Sequence, residues 1–141
     1  MDIAQFMTRT HAIVAPESPD GLAPTRDDDL CAFALVSASF VPAFVAALDA
    51  AEHHDDGAGS QVAALADLLE AGFADGTDDL VDALAMRVVE RHLCRDSARA
   101  AIAYPQLGPA TRAIVAKLRA LVDSADKNAA TASLAHTDGA G

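Results

Sequence analysis

The chain has 141 residues, of which 52% are hydrophobic, and its formal net charge is −11 at pH 7. This is the length of one ordinary domain, and such a domain buries a core without disulfides or metals. A charge this negative argues against nucleic acid as a direct ligand and against an anionic membrane surface, because both require a basic face. It permits a basic protein partner.

The composition predicts an all-α fold. Ala, Leu and Val dominate, Trp is absent, and the aromatic side chains are five Phe and one Tyr. Ala is the best helix former, and no run alternates β-branched or aromatic residues with polar ones, as a half-buried strand would. We therefore expect one domain of five or six helices, arranged as a compact bundle or as stacked helical hairpins.

The first third of the chain contains two predicted helices separated by a loop. Residues 2–14 form a short amphipathic segment, and residues 15–26 are an irregular loop because they hold three prolines and a glycine. The acids Asp27–Asp29 suit the positive end of a helix dipole, so the next helix is predicted over residues 28–52.

Pro42 lies inside this second helix and should bend or break it. Ser39 is the candidate cap for a segment that begins near Val41. The apolar run from Leu30 to Leu48 contains two serines and a proline and is flanked by Asp on both sides, so we interpret it as a core helix rather than a transmembrane span.

The second half of the chain predicts four further helices. Ser60, Thr77, Asp96 and Pro109 are suitable residues for the starts of these helices. The predicted ranges are 61–71, 78–95, 97–103 and 109–123. The domain is therefore expected to cover residues 1–123, while the small and polar residues 124–141 predict a disordered tail.

The charge is distributed unevenly along the chain. Residues 1–82 hold 16 acidic and two basic residues, whereas residues 83–141 hold five acidic and eight basic ones. Between Asp27 and Asp82 there are thirteen acids and no Lys or Arg. Two of the acidic clusters, at residues 53–56 and 75–82, fall at helix ends, which an antiparallel bundle can bring to one rim.

These two clusters are the candidate docking surface for a basic partner, because grouped carboxylates focus a negative field and speed association. The candidate partner-binding residues are Asp55, Asp56, Asp75, Asp78, Asp79 and Asp82. The alternative interpretation is that these acids only cap helices and keep an Ala-rich surface soluble.

Four arginines recur at every fourth position and make a ridge along a predicted helix and into the next one. They are Arg87, Arg91, Arg95 and Arg99. We favour an internal ion-pair seam with acids of the 49–82 region, together with Glu90 and Asp96, because a buried arginine needs a carboxylate partner. An anion or nucleic-acid contact is the alternative.

One cluster has the residue types of a metal site, and the chain has two cysteines. His53, His54, Asp55 and Asp56 are proper ligand types for zinc or iron, but no HExxH or ExxH spacing accompanies them, so a solvated loop is favoured. Cys31 and Cys94 are expected to be free, buried thiols, with a single disulfide as the alternative.

The stretch from Val41 to Val115 resembles an uncharacterised family of small, acidic, all-helical bacterial proteins. Three pieces carry the resemblance: Leu65-Ala-Asp-Leu-Leu-Glu-Ala-Gly72, then Val88-Val89-Glu90-Arg91, then the Asp96 turn that leads into a helix around Ala100–Ile102. It covers about half of the chain. Such proteins look like the immunity proteins that protect bacteria from their neighbours' toxins, which implies a protein-binding function.

The charge pattern and the resemblance together predict an immunity or antitoxin-like protein without a cofactor. It would cover a basic toxin surface, for example a nuclease active site. One alternative is a metal-dependent helical enzyme that uses the cluster from His53 to Asp56. A second is a regulatory or scaffold subunit, including a homodimer. The N-terminus lacks a basic region followed by an apolar stretch, so we expect no signal peptide and a cytoplasmic protein.

Overall fold

A computed structural model of the protein describes residues 1–14 and 31–139, apart from the side chains of residues 126 and 128–139. Within these residues the chain forms helices joined by short turns, and no strand is present, so the predicted all-α class is confirmed. The predicted loop 15–26 and the predicted helix-starting acids Asp27–Asp29 lie outside the described residues.

Seven α-helices form the described part of the fold. They are α1 (Ile3–Val14), α2 (Ala32–Ala38), α3 (Phe40–Glu52), α4 (Ala58–Asp75), α5 (Asp78–Leu84), α6 (Ser97–Ala103) and α7 (Pro109–Gly139). Helix α5 continues directly into a π-helix, Ala85–Cys94, and α6 ends in a 3-10 turn, Tyr104–Gln106. Six segments result when α2 and α3 are counted as one bent helix and the π-helix as part of α5, in agreement with the predicted number.

The bend between α2 and α3 is at Ser39. Its hydroxyl donates a hydrogen bond of 2.7 Å back to the carbonyl of Leu35, so the side chain does not cap α3 as predicted. Pro42 lies in the first turn of α3, where its missing N–H needs no helical partner. The helix therefore breaks just before the proline rather than at it.

A single core joins the helices. The largest fully buried side chains are Phe6, Phe40, Phe44, Leu48, Leu65, Leu69, Leu80, Leu84 and Leu93, with Val36, Val62 and Val88. The Phe6 and Phe40 ring centroids are 5.1 Å apart and those of Phe40 and Phe44 are 5.3 Å apart, which ties α1 to the bent α2–α3 pair. Helix α4 packs against α1, α3, α5 and α7.

The run Ala32–Glu52 is long and apolar enough to cross a membrane by length and composition. One such helix is weak support for a membrane span, because a core helix passes the same test. This run contributes Val36, Phe40 and Phe44 to the core, although only 28% of its apolar window is buried, so its interpretation as a core helix stays a prediction.

Helix α4 begins earlier and ends later than predicted. Its N-cap is Gly57, with a φ of 79°, rather than Ser60, and its C-cap is Gly76, the second of the two glycines whose positions signal an end to this helix. A Cβ at Gly72 would lie 2.6 Å from Leu84 Cδ1 and 3.1 Å from Phe6 Cε2. Gly72 is therefore a site of close helix packing and not a helix stop.

Three of the predicted helix starts are confirmed. The Thr77 hydroxyl accepts a bond of 3.4 Å from the N–H of Leu80 at the start of α5, and Pro109 is the first residue of α7. The Asp96 carboxylate accepts a bond of 3.1 Å from the N–H of Arg99 at the start of α6. These caps depend only on local residue type, which is why the sequence predicts them.

A carboxylate from α4 caps α7. Glu70 accepts bonds of 2.8 Å and 2.9 Å from the N–H groups of Ala110 and Thr111, and one of 2.8 Å from the Thr111 hydroxyl. Burial raises the pKa of Glu70, but these three bonds outweigh burial, so the pKa lies below its usual value of 4.5. Gly108 is needed beside it, because a Cβ there would meet the carboxylate at 2.5 Å.

The π-helix changes which residues face the core. Its hydrogen bonds join residues five apart, so side chains four and five apart share a face. The buried residues Leu84, Val88, Val89 and Leu93 follow this spacing. Met86, which an α-helical pattern would place on an apolar face with Val89 and Leu93, is 47% exposed.

The last helix is longer than the sequence predicts. Helix α7 runs to Gly139, whereas the predicted helix ends near Asp123. The backbone of residues 124–139 is thus helical in the structure, where composition predicts a disordered tail.

Candidate functional site

The six candidate docking carboxylates are all exposed. They are Asp55, Asp56, Asp75, Asp78, Asp79 and Asp82. Within residues 1–14 and 31–139, the ion pairs involve Asp49, Glu90 and Asp96, and none of these six. The arginines of the described residues therefore leave this part of the acidic surface unpaired.

The structure does not bring the two acidic clusters to one rim. Asp55 and Asp56 precede the start of α4, whereas Asp75 is its last residue. An 18-residue helix is about 27 Å long, so the clusters lie at opposite ends of α4. The prediction of a shared rim is wrong because α4 lies between the two clusters and separates them by its whole length.

Four of the carboxylates surround the turn between α4 and α5. We name this group the acidic corner, and it consists of Asp75, Asp78, Asp79 and Asp82. Asp78 and Asp79 occupy the first turn of α5, where the helix dipole favours negative charge. The N-terminal ammonium of Met1 donates to the Asp75 carbonyl at 2.6 Å, and the Thr77 N–H donates to the Met1 carbonyl at 2.9 Å. These bonds fix the N-terminus against the corner and place one positive charge there.

The other cluster is a turn that ends α3. The Nδ1 atom of His53 lies 3.0 Å from the Asp49 carbonyl, His54 has a φ of 58°, and the N–H of Asp55 donates to the Ala50 carbonyl at 3.0 Å. The part of the chain that the structure describes includes His53, His54, Asp55 and Asp56, and it holds no group of three or more side chains that could bind a metal ion. The alternative of a metal site in this turn gains no support.

The arginine ridge forms only part of the predicted ion-pair seam. The Nε atom of Arg99 lies 3.3 Å from Oδ1 of Asp49, and its Nη1 atom lies 3.3 Å from Oδ2 of Asp96. The Nη2 atom of Arg95 lies 3.4 Å from Oε1 of Glu90. Among the described residues, Arg87 and Arg91 have no carboxylate within salt-bridge distance. Among the described residues the seam therefore does not extend to Arg87 and Arg91, which lie beside Phe33 of α2.

Arg87, Arg91 and Arg95 line a cleft between α2 and the π-helix, with a volume of about 450 Å³. We name it the arginine cleft, and its other lining residues are Phe33, Met86 and Glu90. The Arg87 guanidinium lies 5.6 Å from the centroid of the Phe33 ring, which is a cation–π distance. The Arg87 Nε atom is buried and has no hydrogen-bond partner among the described residues.

Sequence reasoning missed this cleft. The four-residue spacing of the arginines indicated an anion contact as an alternative, but Phe33 is distant in sequence and comes from α2. Nothing in the local pattern shows that α2 packs beside the π-helix. The available signal was the arginine spacing itself.

His92 and Cys94 do not form a nucleophilic pair. Burial lowers the pKa of His92, and the charges of Arg99 and Arg91 lower it further. Burial also raises the pKa of the Cys94 thiol, whose Sγ lies 3.8 Å from the Val115 carbonyl. A protonated thiol is a poorer nucleophile than a thiolate, so this environment does not activate Cys94.

Both cysteines are free, as predicted. Cys94 is half-buried, but Cys31 is exposed, so the expectation that both thiols are buried was wrong for Cys31. Cys31 immediately precedes α2 and contributes no side chain to the core.

Comparisons of this chain with protein-family models, with curated proteins and with solved structures gave no match. The fold and the surface therefore define the class: an all-α protein with an acidic corner that forms no ion pair among the described residues, and with a separate arginine cleft.

Proposed function

We propose that this protein is a small acidic binding module whose acidic corner docks on a basic protein. The observation that carries the proposal is the exposure of Asp75, Asp78, Asp79 and Asp82, none of which is in an ion pair within the described residues. Unpaired surface carboxylates keep their full charge available to a partner. Carboxylates already bound to the protein's own guanidinium groups would not.

The physical role of the corner is to accelerate association. Grouped charges of one sign raise on-rates by about 10- to 1000-fold, and salt screens this effect beyond about 8 Å at physiological ionic strength. Rim charges act mainly on the on-rate and on its salt dependence. A docking corner should therefore show itself in association kinetics at low salt.

We further propose an immunity or antitoxin function, in which the partner is a basic toxin such as a nuclease. The resemblance of residues 41–115 to small acidic helical bacterial proteins supports this form of the proposal. A nuclease active site is basic because it binds phosphates, so an acidic corner complements it. A protein that covers this surface blocks the substrate without any chemistry of its own.

The length of α4 limits which of the six carboxylates one interface can contact. A standard interface buries about 800 Å² on each partner, which corresponds to a patch roughly as wide as α4 is long. The radius of such a patch is only about half the length of α4, so an interface centred on the acidic corner does not reach Asp55 and Asp56. We propose that these two residues contribute little, although the sequence groups them with the other four.

The test compares two charge-removing variants. The corner variant carries Asp75→Asn, Asp78→Asn, Asp79→Asn and Asp82→Asn, and the control carries Asp55→Asn and Asp56→Asn. The partner is a basic protein encoded beside the gene for this chain, immobilised for interferometry in low salt. We expect the corner variant to lose about tenfold or more in affinity and the control less than about threefold. Equal affinities for the unmodified chain and the corner variant would overturn the docking role, and a neighbouring frame without a basic protein would count against the toxin form.

A further inference from the structure

We infer that the arginine cleft between α2 and the π-helix binds a small organic phosphate monoester. Its residues are those that line the cleft: Phe33, Met86, Arg87, Glu90, Arg91 and Arg95. This site is independent of the proposed docking function, because it uses different residues and the opposite charge.

Charge decides which anion suits the cleft. Three guanidinium groups and one carboxylate line it, and the carboxylate of Glu90 pairs with Arg95 at 3.4 Å. The lining therefore carries two positive charges in excess, both on the side of Arg87 and Arg91. A phosphate monoester carries about −1.5 to −2 at pH 7, whereas a simple carboxylate carries only one charge.

Hydrogen bonding favours the same ligand. The Arg87 Nε–H is buried without an acceptor among the described residues, so the terminal nitrogens of this guanidinium are the donors for a ligand in the cleft. A phosphate offers three strong acceptor oxygens, so one group can accept from Arg87 and Arg91 together. The Phe33 ring, whose centroid lies 5.6 Å from the Arg87 guanidinium, helps to orient it.

The remaining wall of the cleft favours an organic body over inorganic phosphate. Phe33 and Met86 supply apolar surface, and Met86 is 47% exposed although it is a large hydrophobic residue. A volume of about 450 Å³ lies within the 300–1000 Å³ that is typical of small-molecule sites. A compact apolar or aromatic group attached to the phosphate would cover this wall.

A long polyanion does not suit the protein. The chain has a net charge of −11, so a nucleic acid that extended beyond the cleft would meet a repelling surface. Salt screens that surface beyond about 8 Å, and a small anion held in the cleft is affected much less. The same net charge that argues against nucleic acid therefore leaves a small phosphate monoester as a ligand.

The test is calorimetric titration of the full chain with phenyl phosphate, inorganic phosphate and phenol at pH 7.5 in low salt. We expect saturable binding of phenyl phosphate, binding of inorganic phosphate at least about threefold weaker, and no binding of phenol. Equal affinity for the two phosphates would overturn the monoester assignment. Absence of saturable phenyl phosphate binding would overturn the site.

Three variants locate the binding. Arg91→Gln should weaken phenyl phosphate binding about tenfold, since it removes a charge-assisted contact from an exposed residue. Glu90→Gln should strengthen it about threefold, because it removes the one carboxylate among the described lining residues and releases Arg95. Lys117→Gln is the matched control on α7, which contributes no residue to the cleft.

A misfolded protein does not bind more tightly, so the expected gain in Glu90→Gln separates a charge effect from damage to the fold. Weaker or unchanged binding in Glu90→Gln, or an equal loss in Arg91→Gln and Lys117→Gln, would contradict the assignment. A single-stranded oligonucleotide that competes better than phenyl phosphate would also contradict it, because the site would then be part of a nucleic-acid surface.

Discussion

The acidic corner and the arginine cleft are associated with the two ends of the same helix, α5 and its π-helical continuation. Asp78 and Asp79 lie in its first turn, where the helix dipole is positive, and Arg91 and His92 lie in its last turn, where the dipole is negative. Each end therefore carries the charge that stabilises it. Helix stability alone explains the sign of the charge at both ends, and so the sign by itself does not indicate function.

The two regions differ in how their charged groups are surrounded. The corner carboxylates are exposed and unpaired within the described residues, whereas the Nε of Arg87 is buried beside the Phe33 ring. An exposed charge acts through the long-range field and changes mainly the on-rate. A desolvated guanidinium acts by direct contact, where its hydrogen bonds are strongest. The two proposed roles, docking at the corner and ligand binding in the cleft, therefore rest on how exposed the charged groups are more than on the sign of their charge.

The largest loss of stability is expected at the junction of α5 and the π-helix, which lies between the acidic corner and the arginine cleft. Leu84 is fully buried at the junction of α5 and the π-helix, so Leu84→Ala should lower the free energy of unfolding by about 3 kcal/mol. Met86→Ala is the control two residues later, where 47% exposure predicts a change within about 0.5 kcal/mol. Urea unfolding followed by circular dichroism measures both. Similar losses in the two variants would contradict the described packing of the junction.

Glu70, one of the thirteen acids between Asp27 and Asp82, caps α7 with its carboxylate. The exposed corner carboxylates make no such contact with another helix among the described residues. Glu70→Gln should cost about 2 kcal/mol at pH 7, because three hydrogen bonds to a charged group are weakened or lost. Its folded pKa lies below 4.5, so the stabilisation is complete above the unfolded pKa and is lost as pH falls through the folded one. The difference between Glu70→Gln and the unmodified chain should therefore shrink below pH 4.5.

Unfolding curves at several pH values check this expectation, and Asp67→Asn provides the control on the exposed face of the same helix. A constant gap between Glu70→Gln and the unmodified chain down to low pH would show that the charge of Glu70 does not cap α7.

A smaller change in stability distinguishes Thr77, which caps α5, from Ser60, which has the residue type of a cap but lies inside α4. Thr77→Ala should destabilise the protein by about 0.5 kcal/mol, because the bond from Leu80 to Thr77 is long at 3.4 Å. Ser60→Ala should cause no loss, since Ser60 lies inside α4 and Ala is the better helix former. Thermal unfolding compares the two, and a larger loss in Ser60→Ala would favour the start of α4 that the sequence predicts.

The smallest change in stability is expected for a substitution in the arginine cleft. The Arg95–Glu90 pair has side chains that are 55% and 26% exposed, so Glu90→Gln should change stability by less than about 0.5 kcal/mol. A larger change in urea unfolding would mean that altered anion binding in this variant partly reflects altered folding. A negligible change would leave charge as the cause of any gain in binding.

The sequence predicts well the features that depend on neighbouring residues. The all-α class, the caps at Thr77 and Asp96, and the start of α7 at Pro109 follow from residue type at short range. It fails where a distant contact overrides a local preference. Gly72 signals a helix end, yet α4 continues through it because that glycine allows Leu84 and Phe6 to pack closely.

The candidate sites show the same division. Exposure of the six aspartates could be expected from their charge, and the predicted helix 61–71 already lies between the two clusters, but the full length of α4 could not be predicted because it depends on packing at Gly72. The arginine cleft needs Phe33 from α2, and the cap of α7 needs Glu70 from α4. A one-dimensional pattern contains neither contact. The π-helix also changes the spacing of the buried residues from three and four apart, as in an α-helix, to four and five apart.

The measurement that tests the docking proposal most directly is the salt dependence of the on-rate with the basic partner. The unmodified chain should associate fast at low salt and lose this advantage steeply as salt is added, since exposed charges are screened. The variant with all four corner aspartates changed to asparagine should associate slowly and respond weakly to salt. If both proteins show the same on-rate and the same slope against salt concentration, the acidic corner is not a docking surface.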